Sequence, residues 1–260
     1  MQTPICQAAT GATAGKLLLG LASNRDEVRE AQRLRYRVFV EEAALRTREN
    51  AERLDVDPFD PYCDHLIVRD ASTLQVVGTY RLLSPRGARM LRRYYSEGEF
   101  DLSRLTHLRH TTVEAGRACI DARYRGGAVL LLLWSGMAEY MRAQRCDYLI
   151  GCASISLADG GVNAAAIYAG LGADQCAPVE YAVTPHLPFP LRAPAGAKAV
   201  LPPLLRGYLR SGAWVCGEPA WDPQFDCADL FVLLPLARLQ GRYSRRYAKE
   251  AAGETASATQ

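Results

Sequence analysis

Arg123-Tyr-Arg-Gly-Gly-Ala128 is the stretch that decides how this chain is read. The residues before it, Thr112–Asp121, read as a strand, and those after it, Val129–Arg142, as a strongly apolar helix. A glycine-rich turn between strand and helix leaves the first helical N–H groups without partners, and the helix dipole adds partial positive charge there. Two arginines flank the turn. Such a place suits a pyrophosphate or a phosphopantetheine arm, and through it a carrier-bound substrate and acyl transfer. The competing reading is a glycine turn used for tight packing alone. The turn is not a P-loop, because no Gly-Lys-Ser/Thr follows it. Nor does it carry the glycine spacing of a dinucleotide fingerprint.

Outward from the turn, the pattern is mixed. Arg25–Ala43 reads as an amphipathic helix capped by Ser23 or Asn24, and Ala44–Asp64 as a charged loop broken by Pro58 and Pro61. His65–Arg69 and Gln75–Leu83 read as a hairpin, and Arg86–Glu97 as a short basic helix. Asp147–Leu157 is a second apolar strand, Asn163–Gly170 a small-residue helix, and Tyr181–Thr184 a further strand. After a Pro-rich stretch, Leu204–Ser211 is helical, Asp229–Leu234 a strand and Leu236–Lys249 a basic amphipathic helix. The expected division is a frayed terminus at 1–20, a core at 21–189, an appended lobe at 190–250 and a frayed tail at 251–260. The alternation of elements points to an α/β (α+β) class.

Composition excludes more than it assigns. A hydrophobic fraction of 49% and a charged fraction of 23% are those of a soluble globular chain. A net charge of +3 does not argue for nucleic acid. Arginines cluster at Arg86, Arg89, Arg92 and Arg93, and again at Arg242, Arg245 and Arg246. Such patches meet an acidic protein or an anionic membrane, or are simply a solvated face. The eight cysteines form no Cys-x-x-Cys pair and no zinc spacing, so no metal is expected and a reducing cytoplasm is read. The apolar run Ala128–Trp134 is far short of the roughly 20 residues of a membrane span. Any membrane contact is expected to be peripheral.

Four sets of residues carry a resemblance. Arg123-x-x-Gly126-x-Ala128 looks like motif A of the GCN5-related N-acetyltransferase (GNAT) superfamily, whose backbone N–H groups bind coenzyme A pyrophosphate or carrier phosphopantetheine. The later Asn163…Tyr168-Ala-Gly-Leu-Gly172 is similar to that superfamily's Asn…Tyr-x-x-x-Gly pattern, whose tyrosine often protonates the leaving thiolate. Arg35-Tyr-Arg-Val-Phe39, Asp55-x-Asp57-x-x-Asp60, Arg81-Leu-Leu83, Phe100 and Glu114-x-x-Arg117 resemble, in that order, the acyl-homoserine lactone synthases and long-chain N-acyl amino acid synthases. Leu201–Gly212, Gly217–Asp222 and Phe225…Asp229 are similar to the C-terminal part of the hemolysin-like ornithine–acyl carrier protein N-acyltransferases, a part the lactone synthases lack.

The resemblance implies a GNAT acyl-CoA N-acyltransferase fold, a mixed, mostly antiparallel sheet flanked by helices. Two strands, Thr112–Asp121 and Asp147–Leu157, would splay for the pantetheine arm. It implies transfer of a fatty acyl group, with or without a 3-hydroxyl, from acyl carrier protein to the α-amine of L-ornithine. The donor would be the carrier's 4'-phosphopantetheine arm, with no resident cofactor. Localisation would be cytoplasmic, with peripheral contact at the inner membrane through Leu236–Lys249. The rivals are another acceptor such as glycine or tyrosine, an acetyl-CoA-dependent enzyme on a small amine, and a non-catalytic haemolysis-associated protein.

Roles then fall on particular residues. An amine must lose a proton to attack a thioester, and a carboxylate can take it. Glu114, on the strand leading to the turn, is the candidate base, with Asp57 and Asp60 supplying nearby charge and Tyr168 as acid. Arg123, Arg125, Gly126, Gly127, Ala128 and Ser154 are candidates for the pantetheine, with Ser156 beside Ser154. Arg35, Arg81 and Arg117 are candidates for the amino-acid carboxylate, because guanidinium forks match it. Arg86, Arg89, Arg92 and Arg93 would dock the carrier. The alternative for Arg35, Arg81, Asp57 and Asp60 is one ion-pair network that orders the loop. In a regular strand Glu114 and Arg117 face opposite sides, and a bulge would change that. Tyr168 is equally a core residue. His65, His107 and His110 have no nucleophile elbow beside them, and His65 reads as structural.

Overall fold

The computed structural model describes residues 8–11, 14–42, 49–192 and 196–238. In chain order the strands are β1 Ala8–Gly11, β2 Ala14–Leu21, β3 Asp64–Asp70, β4 Val76–Leu83, β5 Phe100–Asp101, β6 Thr112–Ile120, β7 Tyr148–Ser156, β8 Thr184–Pro185, β9 Trp214–Val215, β10 Ala220–Asp222 and β11 Cys227–Pro235. The α-helices are α1 Arg25–Tyr36, α2 Pro85–Leu91, α3 Ala128–Ala143, α4 Val162–Ala169 and α5 Pro203–Ser211. The described residues form two compact units, one within 8–94 and 113–145, the other within 95–112 and 146–238.

In the first unit the strands run β1-β2-β3-β4-β6, each pair antiparallel. The terminus expected to fray through residue 20 is therefore a strand from Ala14, with Leu17 to Leu21 paired against Asp70 to Leu66. Leu17 and Leu19 are core residues, and burying them outweighs the cost of ordering a chain end. The apolar centre of β3, Leu66-Ile67-Val68, is buried on both faces. Ile67 packs with Ala31 and Leu34 of α1, and with Val76 and Cys119. On the opposite face, a Cβ on Gly136 of α3 would lie 3.0 Å from Leu19 and Leu66. α1 starts where Asn24 accepts hydrogen bonds from the Asp26 and Glu27 N–H groups, and it ends in a π-helical turn, Arg37–Glu42.

In the second unit β11 pairs with β7 over nine residues, from Cys227↔Ser156 to Pro235↔Tyr148, and with β10 and β9 on its other side. The boundary expected at residue 190 thus falls inside a unit. The chain beyond 190 supplies a central strand, buried along Cys227–Leu234, rather than an appended lobe. α5 starts on Pro203, ends at Gly212 in the left-handed region, and buries Leu205, Tyr208 and Leu209. The strand expected at Tyr181–Thr184 is a 3-10 turn, Val179–Tyr181, followed by β8, which pairs with β5. Pro185 has no N–H to extend that ladder. The basic helix expected at Leu236–Lys249 lies outside the described residues beyond Arg238, as do Arg242, Arg245, Arg246 and the tail 251–260.

Among the described residues no helix is long and apolar enough to cross a membrane. The seven described cysteines are all free.

Candidate active site

The centre of the first unit is a buried lattice of three arginines and three aspartates. Arg35, fully buried, donates from Nε to Asp55 at 2.9 Å, and from its two terminal nitrogens to Asp60 at 3.0 and 2.9 Å and to the Asp55 carbonyl. Arg81 bridges Asp57 at 2.9 Å and Asp60 at 3.1 Å. Arg117 holds the other oxygen of Asp57 at 2.6 Å. Gln32 adds a hydrogen bond to Asp60 at 2.8 Å. The loop between α1 and β3 is therefore ordered by charge, which is the network reading. It takes Arg35 out of contention for a substrate carboxylate, since its donors are spent inside the fold.

The same geometry removes Asp57 and Asp60 as proton acceptors. Burial opposes their charge, but the Arg35 hydrogen bonds and the Arg35 and Arg81 charges prevail and hold Asp60 well below the usual carboxylate range. Arg81 and Arg117 do the same for Asp57 against its burial. A carboxylate clamped by two guanidinium groups is a poor base. His65 is also structural. Its Nε2 faces the Asp60 carbonyl at 3.3 Å, and burial lowers its pKa, so the ring stays neutral. His107 and His110 lie exposed on the 3-10 segment Ser103–Thr111.

Glu114 is buried on β6 opposite Leu83, two residues from the Arg81↔Gly116 pair, so Glu114, Gly116 and Arg81 share one face. β6 is not regular. Thr79 pairs with Cys119 and Arg81 with Gly116, which leaves Arg117 and Ala118 opposite Tyr80. This is a bulge, and Arg117 enters the left-handed region at φ 52. The bulge turns Arg117 to Asp57, so Glu114 and Arg117 do serve the same side of the sheet. Among the three arginines Arg117 is the least enclosed, with its side chain 10% exposed.

Past the bulge, β6 runs into the glycine turn. Asp121 accepts from the Arg123 N–H at 3.0 Å. Gly127 takes φ 98 as the N-cap of α3 and has no side chain to bond the helix's first N–H groups. The open helix start is there as expected. The flanking arginines are not aimed at it: Arg123 forks onto Asp121 with two bonds of 3.0 Å, and Arg125 pairs with Glu42. Any phosphate here is held by backbone and dipole rather than by those guanidinium groups.

The basic segment is a shorter helix than expected. α2 is capped by Ser84 and closes at Arg92, whose φ of 58 ends it. A Cβ on Gly87 would sit 2.3 Å from the Tyr62 carbonyl oxygen, so α2 rides directly on the backbone of the Asp60 loop. Arg86, Arg89, Arg92 and Arg93 are all exposed. None pairs with a carboxylate among the described residues, and Arg93 stacks on Phe59 at 5.1 Å.

Tyr168 and Ser154 belong to the second unit. Tyr168 is half-buried on α4, and burial, then the charge of Glu218, raises its pKa. Ser154, on β7 opposite Asp229, is hydrogen-bonded to that carboxylate, while Ser156 pairs with Cys227 at the end of the ladder. This exposes a cluster that sequence reasoning missed. Glu99, Asp222 and Asp229 gather with Cys152 and Cys227, and their ligand atoms lie within 4.8 Å in two overlapping sets. Its one sequence signal was an aspartate inside the apolar run Cys227–Leu234. Burial first, then the Asp229 charge, pushes Glu99 up to about 9. Asp229 is likewise raised by burial. The pair shares a proton at neutral pH, and a metal ion would have to displace it.

A carboxyl with a raised folded pKa stabilises below its unfolded value and loses that contribution as pH rises through the folded one. The urea midpoint is therefore expected to fall from pH 5 to pH 9 in the natural protein. Glu99→Gln, matching it at pH 5, should be the more stable at pH 9. Parallel pH profiles for the two would rule out the shared proton.

Residues 34–135 match the family model for an acetyltransferase (GNAT) domain. The chain is 35% identical over 257 residues to an L-ornithine N(alpha)-acyltransferase of Brucella abortus (strain 2308), covering 91% of this chain and 90% of that protein. It is 35% identical over 254 residues to the Agrobacterium fabrum (strain C58 / ATCC 33970) protein of the same name, covering 91% and 87%. Among solved structures, the acyl-homoserine lactone synthase BjaI superposes with a TM-score of 0.51 at 16% identity, over 85% of this chain and 82% of that one. The synthase MesI does so at 0.52 and 12%, over 88% and 95%. These two likenesses are of fold. The identity sustained over nine-tenths of chains of similar length goes further, and with the GNAT turn and its open helix start it places this chain in the L-ornithine N(alpha)-acyltransferase family.

Proposed function

We propose that this acyltransferase moves a fatty acyl group from the phosphopantetheine thioester of acyl carrier protein to the α-amine of L-ornithine, giving lyso-ornithine lipid. One observation carries the reading. A single strand, β6, holds a buried carboxylate, Glu114, and leads into a helix start whose N–H groups have no side-chain cap. The relatives named L-ornithine N(alpha)-acyltransferase support the acceptor.

The ammonium must lose one proton before nitrogen can attack the thioester carbonyl, and a second as the amide forms. Glu114 takes the first, directly or through a water. The tetrahedral intermediate expels the pantetheine thiolate, and the second proton from nitrogen ends on that sulfur. Tyr168, whose pKa burial raises, is proposed on the family resemblance as the acid that passes it on. The α3 N-terminus holds the phosphate, and Ser154 is the candidate contact along the arm. Arg117, with Arg81 behind it, is the candidate for the ornithine carboxylate. The exposed charge of Arg86, Arg89, Arg92 and Arg93 fits an acidic carrier. The product is a lipid, which favours release at an anionic membrane surface beside the basic segment 236–249.

The test is amide formation by the purified protein from 3-hydroxyacyl carrier protein, with ornithine, glycine and tyrosine in separate reactions. Ornithine amide from the carrier donor is expected. Turnover with acyl-CoA alone, or on glycine rather than ornithine, would overturn the donor or the acceptor respectively.

A further inference from the structure

We infer that Tyr124 and Asp70 are positioning residues for the donor, a latch that holds the Arg123–Ala128 turn in the shape that presents its N–H groups. The inference rests on the reading that this turn takes the phosphopantetheine. An anion site made of backbone has no side chain to adjust, so its accuracy depends on what fixes the turn. Gly127 permits the turn through its φ of 98, but no packed neighbour holds it there: a Cβ on Gly126 or Gly127 would meet nothing within 4 Å.

Side chains of three residues tether the turn. Arg123 reaches Asp121, and Arg125 reaches Glu42 and the Ile120 carbonyl, but the two arginine side chains are 67% and 49% exposed. Ion pairs at that exposure are weak and screened by salt. Tyr124 is different. Its hydroxyl donates to Asp70 Oδ2 at 2.8 Å, across 54 residues of sequence, and ties the turn to the β3–β4 hairpin. Asp70 is a rigid acceptor. It is buried, its Oδ1 accepts from the Ser72 and Thr73 N–H groups at 2.8 and 3.1 Å, and its own N–H donates to the Gln75 carbonyl at 3.0 Å. The hairpin turn is built around the carboxylate that holds the phosphate turn.

Tyr124→Phe removes the hydroxyl and keeps the half-buried ring, so the fold is retained. KM for the acyl-carrier donor is expected to rise about tenfold, the scale of one hydrogen bond to a charged group. kcat and KM for ornithine should stay within twofold. Amide hydrogen exchange at Gly126, Gly127 and Ala128 should quicken, while Leu132 and Leu133 in the body of α3 stay unchanged. Unaltered donor KM and unaltered exchange would overturn the latch. So would a change in all three kinetic constants together, which marks a general structural role. If the natural protein does not use carrier-bound donors, the functional reading fails and the exchange rates still decide the latch.

Discussion

Arg35→Met is expected to cost the fold about 3–5 kcal/mol, the penalty for removing one partner from a buried ionic cluster. Globular domains hold about 5–15 kcal/mol in all. Arg35 is fully buried and bonds two carboxylates at once. Its loss leaves Asp55, Asp57 and Asp60 to Arg81 and Arg117, an uncompensated negative charge in the interior. A urea titration at pH 7 checks this, and a loss under about 1 kcal/mol, the scale of a surface pair, would show the lattice to be marginal. The pH sign is opposite to that of the Glu99 pair. Asp60 has its folded pKa lowered, so its contribution is present above the ordinary carboxylate range and lost as pH falls through it. The natural protein should weaken in acid, and the Arg35→Met variant should show a shallower acid limb.

Glu114→Gln is expected to lower turnover by about 10²–10⁴, the range for a general base. The amide matches the carboxylate in size, so the urea midpoint should change little and KM for the donor should hold. The diagnostic result is a fall in kcat with intact folding. Full turnover in the variant would assign proton removal elsewhere, and since Asp57 and Asp60 are clamped, a water or the substrate itself would be the next candidate.

The lattice shows what the sequence can and cannot disclose. Arg35, Asp55, Asp57, Asp60, Arg81 and Arg117 were legible as a set, because their order and spacing match a family. Whether they bind substrate or order a loop was not legible. That turned on donors satisfied inside the fold, and on a bulge at Arg117–Ala118 that places a non-glycine residue at positive φ. No residue type announces such a bulge. The turn at Arg123–Ala128 was readable from its glycines, but the direction of its arginines depended on Asp121 and Glu42, which are placed by folding. β2 was missed because Lys16-Leu-Leu-Leu-Gly-Leu21 lacks alternation. The acidic cluster was missed because Glu99, Asp222 and Asp229 come from separate segments, and only Asp229 stood out, alone in an apolar run.

The pairing of β11 with β7 has a consequence for how the protein is made. The first unit has all its residues once position 145 has left the ribosome. The second cannot close its sheet until residues 227–235 emerge, roughly eighty positions after β7. Until then β7 is an apolar strand without this partner, the kind of edge that recruits other chains. Synthesis pauses and premature termination between these points are thus the moments of greatest aggregation risk. A chain cut near residue 190, where the sequence alone invites a domain boundary, is the truncation to avoid.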